Sequence, residues 1–303
     1  MVIPCFNSEL TLGKVLDEIT LEFKISKIRN YEIILVLDSP EDNTLQVAIN
    51  QQKTNHNIIV MELNKNFGQH AAIFAGLSQA NYNFIVTMDD DGQHPVNRIL
   101  DLVSPLCEGF DVVYGVANKK EHNFLRNTLS KLIKFLIFKS MKIDNARNLS
   151  AFRAFKKTAV DGIEFRDLTS AIVDVVLNWN TNKFHTIKVD MSKRSIGKSN
   201  YNSFKLIKFA IQMITGYSIR PLRLATFAGL LTFFASFIIL ISLIIQTLKG
   251  EIVVAGYASL SLFILFLGAI QLLTLGLIGE YLGKVHEKSM GKPLYLIKSI
   301  TKS

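Results

Sequence analysis

Between Leu224 and Leu248 the chain carries no charged residue, between Ile252 and Gly279 again none, and only Lys249-Gly250-Glu251 separates the two runs. Each run exceeds the roughly 20 residues that cross the hydrocarbon of a bilayer. A backbone in hydrocarbon must satisfy its own hydrogen bonds, so the pattern predicts two helices, at about 222–248 and 252–282. So tight a connection makes them a hairpin, with both outer ends on one side of the membrane. Lys205, Lys208, Arg220 and Arg223 precede the hairpin, and Lys284, Lys288, Lys292, Lys298 and Lys302 follow it. The positive-inside rule then places both flanks in the cytoplasm, with 284–303 as a basic tail. Met1 leads straight into an apolar strand pattern rather than into a signal peptide. The expectation is a multi-pass protein of the cell's inner (plasma) membrane whose N-terminal part is cytoplasmic.

Composition agrees. A hydrophobic content of 49% and a mean hydropathy of +0.27 are too high for a simple soluble enzyme. The net charge of +9 lies largely beside the spans, so anionic lipid headgroups are nearer partners than nucleic acid, and no RNA-binding motif is present. Cys5 and Cys107 have neither a disulfide framework nor metal-ligand spacing. Phe204 to Ile214, with Lys205 and Lys208 three apart and apolar residues on most other faces, suits an amphipathic helix lying at the bilayer surface. Gly279 and Gly283 form a small-xxx-small spacing that suits packing within or between chains, as in a homo-oligomer.

Residues 1–190 alternate short β-rich runs with longer helical patterns, which predicts an α/β domain with a mainly parallel sheet covered on both faces. Strands are expected near 2–4, 31–37, 57–63, 83–88 and 111–115, and helices near 9–22, 43–51, 69–80, 96–107 and 124–140. After Asp190 the segment Met191 to Tyr201 is polar, basic and short of apolar anchors, so it reads as a mobile loop. Residues 191–221 thus form a basic connection that ends in the surface helix.

The chemistry concentrates in Thr87-Met88-Asp89-Asp90-Asp91-Gly92-Gln93-His94-Pro95, where three carboxylates follow an apolar strand and precede a turn. At the carboxyl end of a parallel strand alternate residues point the same way, so Asp89 and Asp91 can share one hard cation. A solvated acidic turn has the same spacing. His94 is the one histidine beside the carboxylates, and it is expected as a satisfied surface residue.

Several blocks together resemble the family 2 nucleotide-sugar glycosyltransferases, in particular the branch that loads a sugar onto polyprenyl phosphate. Val2-Ile3-Pro4-Cys5-Phe6-Asn7 is similar to that family's first strand and turn, and Glu32 to Asp38 to its second strand with a terminal Asp. Asn66-Phe67-Gly68-Gln69 followed by Ala72 and Gly76 resembles the next block, and the triple-Asp segment its metal-binding D-x-D. The resemblance implies a Rossmann-like GT-A fold, a nucleotide sugar donor with UDP first in line, and Mg²⁺ or Mn²⁺ held by Asp89, Asp91 and Gln93. It further implies that Pro4, Asn7, Asp38, Asn66, Gly68 and Asp89 frame the donor and that Arg153 lies beside its diphosphate. Arg194 and Lys198, in a stretch similar to R-x-x-G-K-S-x-Y, are implied to bind the acceptor phosphate. Where many relatives have an acidic residue before the F-R pair, this chain has Ala151. That substitution keeps open a silent, membrane-anchored nucleotide-sugar-binding or assembly protein. A processive polysaccharide synthase is disfavoured, because Trp179 lacks the Q-x-x-R-W context.

Overall fold

The computed structural model describes residues 1–118, 149–165, 172–192, 220–249 and 256–302. The chain divides into two compact units, Met1–Asn202 with Gly291–Ser303, and Ser203–Met290. The helix expected over 124–140, the surface helix near 204–214 and nearly all of the basic loop lie outside the described residues.

In the first unit the strands β1 (Val2–Cys5), β2 (Ile33–Leu37), β3 (Ile58–Leu63), β4 (Phe84–Thr87) and β5 (Val112–Ala117) coincide with the five predicted from sequence. Helices α1 (Leu12–Ile25), α2 (Thr44–Thr54), α3 (Gln69–Leu77) and α4 (Ile99–Cys107) connect them. Three elements had no sequence expectation: β6 (Arg153–Lys156), α5 (Val173–Asn180) and β7 (Phe184–Val189). A further strand, β8 (Ile297–Thr301), completes one sheet in the order β7-β5-β6-β4-β1-β2-β3-β8. The sheet is mixed. β1 pairs in parallel with β2 and β4, β2 with β3, and β5 with β7, whereas β6 runs antiparallel to both β4 and β5.

Strand alternation sorts the core into two layers. Val2, Ile34 and Val36 face α3 and α5, while Ile3, Ile33, Leu35 and Leu37 face α1 and α4. Strands buried on both faces read as continuous apolar runs, which is why β1 and β2 were legible without alternation. Gly76 sets how closely α3 approaches this sheet, because a Cβ there would lie 2.4 Å from Val2 Cγ1 and 3.0 Å from Val36 Cγ2. Both neighbours are β-branched and stiff. Gly76→Ala is therefore expected to destabilise the domain by about 1–3 kcal/mol, read as a lowered denaturation midpoint, and an unchanged midpoint would show that α3 can simply slide.

The basic tail expected over 284–303 is not a tail. Helix formers carry the second hairpin helix on to Ser289, past the apolar run, with His286 and Lys288 in its last turn where cations favour the helix dipole. The chain then rejoins the first unit. Leu294 and Tyr295 are buried, and β8 pairs antiparallel with β3. Lys298 bonds Glu62 at 2.6 Å, and Gln52 Nε2 donates to the Thr301 carbonyl at 2.7 Å. A strand only five residues long that adds to a sheet edge needs little apolar sequence of its own, so the lysines concealed it.

The second unit holds α6 (Arg220–Leu248) and α7 (Tyr257–Ser289), which pack against each other. At 29 and 33 residues they extend about 43 and 50 Å, more than the roughly 30 Å of bilayer hydrocarbon. Within α7 the window Phe266–Gly283 is long and apolar enough to cross a membrane, and none of it is buried inside the protein. Large side chains such as Phe227, Leu231, Ile238 and Leu272 point outward, as they do on a lipid-facing helix.

Candidate active site

The strand order reverses beside β1: β2 and β3 extend to one side, and β4 returns to the other. Ligands collect outside the carboxyl ends of strands at such a point. A cleft of about 280 Å³ lies there, lined by Pro4, Cys5 and Phe6 after β1, Asp38 after β2, Asn66, Gly68 and Gln69 at the start of α3, and Asp89, Asp90 and Asp91 after β4.

Asp38 is 3% exposed, and its two oxygens accept from the backbone N–H groups of Phe67 and Gly68, each at 2.7 Å. Burial raises its carboxyl pKa, and the two amide bonds partly offset this. In this structure it therefore shapes the loop that presents Asn66 and Gly68 to the cleft. Gly68 holds φ at +91°, a left-handed conformation open to glycine, and so turns the chain into α3. Asn7 takes a left-handed φ of 54° and accepts from the Glu41 amide at 2.8 Å. It lines a neighbouring depression with Ser8, Glu9 and Asp42 rather than the cleft itself.

The triple-Asp segment lies beyond the end of β4, so strand alternation does not orient it. Hydrogen bonds do. Gln69 Nε2 donates to Asp89 Oδ1 at 2.5 Å, and Asp91 Oδ1 accepts from the Gln93 amide at 3.0 Å. Gln93 meets Asp91 through this backbone bond, and its carbonyl accepts from Ser192 at 2.9 Å. Asp90 takes bonds from the Ser8 hydroxyl and, at 3.3 Å, from the Phe6 amide, which fastens the turn after β1 to the turn after β4. Burial pushes the Asp90 carboxyl up to about 6. His94 is not at the surface: it is 8% exposed, its Nδ1 accepts from the Asp89 amide at 3.0 Å, and burial lowers its pKa to about 4.

Arg153 departs most from its expected place beside a diphosphate. β6 runs antiparallel between β4 and β5, so Arg153 stands opposite both Thr87 and Tyr114, with its side chain beneath α5. It is 1% exposed, its Nε donates to Thr87 Oγ1 at 3.0 Å, and its guanidinium pairs with Asp174. Asp174 Oδ1 also accepts from the Tyr114 hydroxyl at 3.0 Å. Nearby, His70 Nδ1 is buried without a partner among the described residues, and burial lowers its pKa to about 4. Arg194 and Lys198 lie outside the described residues.

Sequence reasoning gave no role to Gln69 or Asp90, and read His94 as surface. Asp90 owes its role to Ser8 and Phe6 in the turn after β1, more than 80 residues earlier in the chain. Gln69 meets Asp89 from 20 residues away, and His94 owes its burial to Phe152, brought close only by the fold.

Four carboxylates line the cleft, and no lysine or arginine does among the described residues. An anionic ligand would be repelled unless a cation joined it. No group of three or more His, Cys, Asp or Glu side chains suited to a metal occurs among the described residues. Asp89 and Asp91 fit the cations that keep several waters and complete their shell on substrate phosphates, which describes Mg²⁺ and, with similar oxygen ligands, Mn²⁺.

The chain matches the glycosyl transferase family 2 model over residues 1–163 and the GtrB C-terminal hairpin model over residues 220–285. It is 32% identical to an uncharacterized glycosyltransferase of Synechocystis sp., over 99% of this chain and 94% of that protein. It is 31% identical to the undecaprenyl-phosphate 4-deoxy-4-formamido-L-arabinose transferase of Proteus mirabilis, over 99% and 93%. Among solved structures, glucosyl-3-phosphoglycerate synthase from Mycobacterium tuberculosis, in complex with Mn²⁺, uridine diphosphate and phosphoglyceric acid, superposes with a TM-score of 0.53 at 17% identity, covering 71% of this chain and 75% of that one. Mannosyl-3-phosphoglycerate synthase from Rubrobacter xylanophilus gives 0.54 at 17% identity, over 73% of each chain. These last two show the fold.

Proposed function

Because this chain belongs to glycosyl transferase family 2, we propose that it moves a sugar from a nucleoside diphosphate sugar to polyprenyl phosphate, inverting the anomeric carbon. The cleft carries the donor half of this reading: it is acidic, sits at the reversal of strand order, and lacks basic lining side chains. The acceptor half is supported by the near-full-length Proteus mirabilis relative, an undecaprenyl-phosphate transferase, together with the hairpin match. A uridine carrier is the first donor to test.

Asp89 and Asp91, with Gln93, would hold Mg²⁺ or Mn²⁺, whose charge when bound offsets that of the diphosphate and of the departing nucleotide. Pro4, Asn66 and Gly68 frame the donor, Asp38 and Asn7 brace the loops that carry them, and the first amides of α3 face its negative groups. An acceptor phosphate oxygen attacks the anomeric carbon as the bond from that carbon to the diphosphate breaks. A phosphate monoester is largely ionised near neutral pH, so the nucleophile needs positioning more than proton removal, and Ala151 in place of an acidic residue is no obstacle. Arg194 and Lys198, in the basic loop ahead of the hairpin, bind the acceptor phosphate through charge-assisted hydrogen bonds. The charge asymmetry of the spans supports a multi-pass placement in the inner membrane with the catalytic unit in the cytoplasm.

The test is transfer of radiolabelled sugar from a panel of nucleotide sugars to undecaprenyl phosphate by the protein in lipid nanodiscs, counted as organic-extractable label. Label is expected with one donor, dependent on Mg²⁺ or Mn²⁺ and lost in chelator. No label with any donor, or transfer that survives chelation, would overturn the reading.

A further inference from the structure

β4 ends at Thr87, so the amide of Asp89 has no ladder partner, and a main-chain N–H this close to the core must find another acceptor. His94 supplies it. Its Nδ1 accepts from the Asp89 N–H at 3.0 Å, which leaves the ring proton on Nε2. The imidazole plane is set by Phe152, fully buried, whose ring stacks on it with centroids 5.2 Å apart and an angle of 12°. Phe152 in turn occupies space that Gly115 leaves open: a Cβ at position 115 would come within 2.5 Å of Phe152 Cδ1. A line of contacts thus runs from β5 through Phe152 and His94 to the main chain of Asp89, whose carboxylate is held from the opposite end by Gln69 at 2.5 Å.

We propose that His94 is a positioning residue: through the Asp89 amide it fixes the backbone that presents Asp89 and Asp91 to a divalent cation. The inference rests on the metal-dependent reading of the cleft. A site with two protein carboxylates depends heavily on the aim of each, and groups that orient metal ligands typically contribute 10–100-fold in affinity. The side chain of His94 thus reaches the site through the bond to the Asp89 amide, with the stack on Phe152 holding it in place.

The experiment is a Mn²⁺ titration of the full-length protein in detergent, followed by the loss of the free Mn²⁺ electron paramagnetic resonance signal. His94→Leu fills the volume without an acceptor and should weaken Mn²⁺ binding about 10–100-fold, whereas His94→Asn restores an acceptor at the δ position and should stay within about threefold of wild type. Phe152→Leu keeps the imidazole but removes its stacking partner and should weaken binding several-fold. The near-ultraviolet circular dichroism of the metal-free protein should be unchanged in all three, which a general loosening of the domain would not allow. Wild-type Mn²⁺ affinity in His94→Leu overturns the proposal, as does wild-type affinity in Phe152→Leu should the His94 variant fail to fold. A wild-type protein that binds no Mn²⁺ overturns instead the reading of the cleft beneath it.

Discussion

Asp91→Ala is expected to lower sugar transfer by at least about 10³-fold, some 4 kcal/mol of transition-state stabilisation, while the catalytic unit still folds. The residue is half-buried at the cleft, and its Oδ1 accepts from the Gln93 amide across a two-residue turn. A hydrogen bond of this kind contributes about 1 kcal/mol, a small part of the stability of a domain of this size. Asp91→Asn separates the two effects, because the amide oxygen can still accept from Gln93 while the charge is gone. It should keep the melting temperature of the wild type and lose transfer nearly as fully as the alanine variant. Transfer by Asp91→Asn at more than about a tenth of the wild-type rate would mean that the cleft does not rely on this carboxylate for a cation.

The elements that formed as read share one property: their signal is local. Ile33 to Leu37 is an uninterrupted apolar run because both faces of β2 are covered, and the charge-free stretches of α6 and α7 admit no other structure in hydrocarbon. The acidic turn was legible for the same reason, since three adjacent carboxylates after a strand are conspicuous wherever they fall. What was hidden depends on distant partners. β8 is a strand only because β3 offers an open edge more than 230 residues earlier in the chain, as the Lys298–Glu62 pair shows. His94 sits inside rather than outside because Phe152 reaches it through β6, itself inserted from a remote segment. The D-x-D spacing suggested strand alternation, yet the strand stops at Thr87, and the carboxylates are aimed by Gln69, Ser8 and His94 instead.

Arg153 shows the same limit with a measurable consequence. An arginine beside two phenylalanines has the same local sequence whether it meets a diphosphate or a carboxylate of its own chain, and Asp174, in Val-Asp-Val-Val-Leu, looks like the exposed position of an amphipathic helix. The fold joins them under α5, with side chains 2% and 13% exposed. Arg153→Met should then destabilise the catalytic unit by about 3–5 kcal/mol, because Asp174 is left charged in the interior beside Tyr114, whose hydroxyl cannot neutralise it. Arg153→Met with Asp174→Leu should recover most of that loss, as replacing both members of a buried pair by apolar groups of similar volume is often neutral. A thermal scan in detergent reads both. A ligand to the diphosphate behaves in the opposite way: Arg153→Met would keep its melting temperature and lose transfer, and the second substitution would restore neither. If that pattern is found, the guanidinium turns from Asp174 to the substrate during the reaction, and its pairing in the resting fold is the state from which it is released.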